Sequence, residues 1–67
     1  MPKEMDFFIF LLEHYSAYKK SDASKVLEEW DELEITDYIY SMYERYHTEY
    51  IGNAFEDIDR LILERKG

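Results

Sequence analysis

From Lys3 to Ile51 the chain contains neither glycine nor proline; Pro2 is its one proline, and Gly52 and Gly67 are its two glycines. No Gly/Pro-rich linker can therefore divide it, and no internal repeat or composition shift marks a boundary. The apolar residues recur with helical period along the whole length. Residues 1–67 are read as a single small helical domain, an all-α bundle of about four short helices with short joints that favour antiparallel neighbours.

Size sharpens the problem. A chain of 67 residues buries only roughly 60% of its unfolded surface. Domains this small often lean on disulfides, a metal or a partner chain. There is no cysteine, so disulfides and zinc-thiolate sites are excluded. Dense aromatic packing, association, or both must supply the stability. Aromatic residues make up 18% of the chain, too many for a disordered segment.

The first helix is expected over about Lys3 to Lys20. Pro2 suits its start, and Glu4 and Asp6 lie where the helix dipole favours acids. Met5, Phe8, Leu12 and Tyr15 form its buried stripe. Ser21 is the expected cap of a second helix whose face is Ala23, Val26, Trp30 and Leu33. Thr36 caps a third. Asn53 and Glu56 have capping-box spacing for a fourth, with Gly52 taking the positive φ that ends the third. The expected core comprises Phe8, Leu12, Trp30, Tyr46, Phe55, Ile58 and Ile62.

The stretch DYIYSMYERYHTEY, residues 37–50, carries five tyrosines. On one continuous helix, at about 100° per residue, Ile39, Met42, Tyr43, Tyr46 and Tyr50 share a face. Most of these rings are then core, with hydroxyls at the rim. Tyr40 is left on the outer side near His47 and Glu44, free for recognition.

Charge excludes some functions. Sixteen acids against eight bases give a formal net charge of −8, which repels nucleic-acid phosphate and suits a basic partner. The apolar run Phe7–Leu12 is too short to span a bilayer and follows Glu4 and Asp6 where a signal peptide needs a basic start. The sequence therefore reads as a cytoplasmic protein that binds neither membrane nor nucleic acid. His14 and His47 are its only histidines, and neither lies in a zinc-binding pattern. There is no glycine-rich phosphate loop, no serine with a base at readable spacing, and no calcium loop. The expectation is no catalytic residue, no metal and no cofactor.

Two surfaces are left over. On the polar side of the first helix, Phe10 projects among Asp6, Glu13 and His14, with Phe7 on the adjacent edge. A helix apolar nearly all round is covered on more than one side. In the second segment Glu28, Glu29, Asp31 and Glu32 could steer a basic partner. The expected partner-binding set is Phe7, Phe10, His14 and Tyr40 with those four acids. Its occupant is a protein partner or a second copy of the chain, forming a homodimer. The rival readings are an acidic nucleic-acid mimic that inhibits a DNA-binding protein, a self-associating structural protein, and an enzyme built on His47.

The order of KEMDFFIFLLEHY, KVLEEWDELEITDYI, YERYHTEY and AFEDIDRLI resembles, over nearly the full length, the small bacterial family catalogued as domain of unknown function 3791. The shared pattern falls here on Tyr38–Ile39, Tyr43, His47–Thr48 and Asp57–Ile58. The family's glycine after His-Thr comes somewhat later here, as Gly52. The resemblance implies a protein with no established activity, often encoded beside ADP-ribosyltransferase-like proteins. Such an arrangement suits a toxin and its small neutralising or regulatory partner.

Overall fold

The structure is a computed structural model that describes residues 2–67. Five helices follow in order: α1 Lys3–Tyr18, α2 Ala23–Glu32, α3 Thr36–Ser41, α4 Tyr43–Tyr46 and α5 Ile51–Lys66. There is no strand among the described residues. Helices α1 and α5 have 16 residues each, or about 24 Å at 1.5 Å per residue, and the molecule measures 30 × 20 × 20 Å. None of the described helices is long and apolar enough to cross a membrane.

Helix α1 opens on Pro2, whose carbonyl oxygen accepts from the amides of Met5 and Asp6, both at 3.1 Å. Proline has no N–H to leave unsatisfied there. The α1–α2 and α2–α3 joints are both Schellman closures. At the first, Lys20 takes φ 56°, the Ser21 amide donates to Ser16 (2.8 Å) and the Lys20 amide to Ala17 (3.0 Å). At the second, Glu34 takes φ 59°, with Ile35 donating to Trp30 (3.0 Å) and Glu34 to Asp31 (3.1 Å). In this motif the residue after the left-handed one packs back on the last turn. Here that pair is Ile35 and Trp30, both fully buried. Their burial holds Glu34 in a conformation that glycine would adopt without strain.

Those turns displace several expected caps. Asp22, not Ser21, is the N-cap of α2, and Ile35, not Thr36, that of α3. The Thr36 hydroxyl instead donates to Asp31 Oδ1 at 2.5 Å. Helix α5 starts at Ile51, so Asn53 lies inside its first turn, its amide donating to Tyr50 O at 2.9 Å. Gly52 also lies in that turn and has no positive φ. A Cβ on Gly52 would run into the Tyr50 ring.

The core gathers residues from all five helices and from the α2–α3 joint. Phe8, Leu12, Trp30, Tyr46 and Ile58 are buried as expected, while Phe55 and Ile62 pack at the edge. Leu11, Ile35, Ile39 and Ala54 are more deeply buried than that edge. The tyrosine stretch does not form one helix. It breaks at Met42, between α3 and α4, and α4 ends at Tyr46. A single 100° progression therefore fails beyond the break: Tyr46 is buried, Tyr43 half-buried, and Tyr50 is 77% exposed.

Two aspartates of α5 staple it to the rest. The Tyr15 hydroxyl of α1 donates to Asp59 Oδ1, and the Tyr46 hydroxyl of α4 donates to Asp57 Oδ2, each at 2.5 Å. Lys19 pairs with Asp59 at 3.1 Å, and Arg60 pairs with Asp57. The capping-box spacing of Asn53 and Glu56 gives no hint of this role for Asp57 and Asp59. Asp57 and Asp59 are half a helical turn apart in direction, so α5 can hold an aromatic helix on each side.

Candidate functional site

On helix α1, Phe7, Phe10 and His14 project along one edge, since steps of three and four residues stay on the same side. Phe7 leans toward α4. Its ring lies 5.7 Å from that of Tyr43, edge to face, and 6.3 Å from that of His47. On the other side it lies 6.1 Å from Phe10. Phe10 in turn sits 4.0 Å from the His14 ring, and Tyr43 stacks on His47 at 4.1 Å with planes 6° apart. Five rings from two helices thus run together across one face. Phe7 and Tyr43 are half-buried beneath it, His14 and His47 are exposed, and Phe10 is 47% exposed.

Both histidines are built alike. His14 Nδ1 lies 3.0 Å from the carbonyl oxygen of Phe10, and His47 Nδ1 lies 2.6 Å from that of Tyr43. A carbonyl oxygen only accepts, so each Nδ1 carries the proton and donates. In the neutral ring Nε2 is then the bare acceptor. Each imidazole is fixed by its own helix one turn back and by an aromatic neighbour. Neither is hydrogen-bonded or ion-paired to a carboxylate among the described residues. The arrangement can offer flat apolar area and two oriented hydrogen-bonding edges.

The remaining expected residues are dispersed. Tyr40 is not a free outer ring: it is half-buried, 5.7 Å from the Phe8 ring. The break at Met42 takes it away from His47, whose neighbour is Tyr43. Glu28, Asp31 and Glu32 are exposed on α2 and, at i, i+3 and i+4, share a side. Glu29 leaves that side and pairs with Lys66 of α5 at 2.9 Å. The acidic surface is therefore three residues of α2, one of them tied to Thr36, rather than four.

Sequence reasoning overlooked the pairing of the histidines with their aromatic neighbours, although Phe10–His14 and Tyr43–His47 share one aromatic-x-x-x-His spacing. It also overlooked the clamps to Asp57 and Asp59. Burial raises the hydroxyl pKa of Tyr15 and of Tyr46 well above the usual phenol value. The hydrogen bond to an aspartate, Asp59 for Tyr15 and Asp57 for Tyr46, adds to the rise. Both remain donors at any physiological pH, as clamps require. No group of three or more His, Asp or Glu side chains suited to a metal ion occurs among the described residues.

The family described as "Protein of unknown function (DUF3791)" matches residues 6–65. That span includes the whole aromatic and histidine face and both clamps. No curated protein and no solved structure matches the chain.

Proposed function

We propose that this chain, which belongs to the DUF3791 family, is a non-enzymatic protein-interaction module whose docking face is the Phe7–Phe10–His14–Tyr43–His47 array. The partner is a protein with an apolar pocket and a basic rim, in our reading the ADP-ribosyltransferase-like neighbour that the family resemblance implies. The chain neutralises or regulates it by occupying that pocket. One observation carries the proposal: Phe10 stands half out of the surface between the Phe7 and His14 rings, and Phe7 is in turn backed by Tyr43 and His47. A rigid aromatic anchor surrounded by near-neutral contacts is the usual make-up of a binding hot spot. The exposed Glu28, Asp31 and Glu32 add attraction for a basic surface, which speeds encounter more than it tightens the complex.

A second copy of the chain is a poorer occupant. Fully burying an exposed phenylalanine contributes roughly 1.5–3 kcal/mol, so two half-exposed Phe10 rings contribute about that much together. Association costs an estimated 4–15 kcal/mol or so in lost freedom, and each copy carries −8. Phe7, which could have added area, is already half-covered by Tyr43 and His47. The acidic-mimic reading is weakened likewise, because Glu29 is drawn off to Lys66.

The test is a calorimetric titration of the chain into the ADP-ribosyltransferase-like protein. Wild type should bind with 1:1 stoichiometry, and Phe10→Asp should lose at least tenfold in affinity. A charge-reversed Glu28/Asp31/Glu32 variant should bind with a slower association rate and a weaker salt dependence. No heat with wild type, or undiminished binding by Phe10→Asp, would reject the proposal.

A further inference from the structure

A cleft of about 610 Å³ opens between the C-terminal end of α1, the start of α2 and the second half of α5, on residues that play no part in the aromatic face. Its polar lining includes Lys19, Lys25 and Lys66, three of the eight basic residues in a chain of net charge −8. Two carboxylates line it as well, and both are already answered. Glu29 pairs with Lys66 at 2.9 Å, and Asp59 pairs with Lys19 at 3.1 Å while accepting the Tyr15 hydroxyl. Lys25 has no ion pair among the described residues, so the cleft keeps one uncompensated positive charge. The apolar lining is buried Val26, half-buried Ile62 and Leu63. Leu63 is 73% exposed and is the outlier of α5 that no contact within the fold explains.

We infer that this cleft binds a small-molecule apolar carboxylate, of the size and kind of a medium-chain fatty acid. The volume falls within the roughly 300–1,000 Å³ of small-molecule sites, which are mostly apolar with few, placed polar groups. One carboxylate satisfies Lys25, and an acyl chain covers Val26, Ile62 and Leu63. A cationic amphiphile would set its head against Lys25. A dianion would exceed the single uncompensated charge.

The probe is sodium decanoate, kept below its micelle concentration and titrated into the ¹⁵N-labelled full chain. Shifts should concentrate at Lys25, Val26, Ile62, Leu63 and Lys66 with a submillimolar dissociation constant that weakens in salt. Lys25→Glu and Leu63→Asp, both at exposed positions, should each weaken binding at least tenfold without moving the melting midpoint. Decyltrimethylammonium should leave the cleft amides unshifted. The inference is overturned if decanoate shifts nothing at millimolar concentration, or if both head groups act alike. It is equally overturned if the shifts fall on Phe10, His14 and His47. A short peptide with a C-terminal leucine that bound the cleft more tightly than decanoate would overturn the small-molecule assignment.

Discussion

Tyr15 and Tyr46 are equally buried, at 1% and 2% exposure, yet removing their hydroxyls should not cost the same. Each donates to an aspartate at 2.5 Å, so the difference lies in what each acceptor does afterwards. Asp57 is 7% exposed, and with the Tyr46 hydroxyl gone only Arg60 remains to it. A hydrogen bond to a charged group is worth about 1.5–3 kcal/mol, and a buried charge that loses a partner bears the full desolvation penalty. Tyr46→Phe should therefore destabilise by about 2–3 kcal/mol. Asp59 is partly open to water and keeps Lys19, so Tyr15→Phe should cost about 1 kcal/mol. In the Asp57→Ala background Tyr46→Phe should cost well under 1 kcal/mol, giving a coupling of the order seen between contacting residues. Urea denaturation followed by Trp30 fluorescence and by far-ultraviolet dichroism measures all four variants. Equal costs for the two tyrosines, or a Tyr46–Asp57 coupling near zero, would refute the argument from acceptor burial.

The same two hydroxyls set the alkaline limit. Their raised pKa values mean that above about pH 10, where an unfolded tyrosine loses its proton, the folded state still holds it. The unfolded state then binds fewer protons, so stability should be level below pH 10 and fall above it by up to about 2.7 kcal/mol per pH unit for the pair; a Tyr15→Phe/Tyr46→Phe double variant should lose that slope. Glu34→Gly should stabilise by about 1 kcal/mol, because its φ of 59° costs a side-chain-bearing residue about that much; an unchanged or lower urea midpoint would contradict it. Trp30→Ala should cost about 3–5 kcal/mol, enough to unfold most of a chain this small at 25 °C, whereas an unshifted melting curve would refute the burial of Trp30.

Much of the fold was legible because the apolar period is strong where helices are long. Met5, Phe8, Leu12 and Tyr15 on α1, and Phe55, Ile58 and Ile62 on α5, lie at three- and four-residue steps, and a pattern of that length leaves little freedom. The joints were less legible. Lys20 and Glu34 adopt left-handed φ without being glycine, so nothing local announces the turns; the signal is the buried residue that follows the second of them, Ile35. The tyrosine stretch misled for the opposite reason. Its aromatic density continues across Met42, where the helix does not; Tyr50 was placed by extending a period that had already ended, and Tyr40 was set beside His47 and Glu44, which lie beyond the break. Of the aromatic face proposed for docking, Phe7, Phe10 and His14 were named from the excess apolar edge of α1. Tyr43 and His47 did not, because the contact that recruits them is between helices. The lysines of the cleft are 47 positions apart at the extremes, Lys19 and Lys66, and only the packing of α1, α2 and α5 brings them together.

The proposed docking face is tested most directly by an amide hydrogen-exchange map of the chain, free and saturated with the proposed partner, the ADP-ribosyltransferase-like protein. Residues 7–14 of α1 and the α4 turn from Tyr43 to His47 should gain protection together, since Phe7 couples their rings. The exposed end of α5 around Leu63 should exchange as before. Protection confined to α5 and the lysine-lined cleft, with α1 and α4 unchanged, would contradict the account.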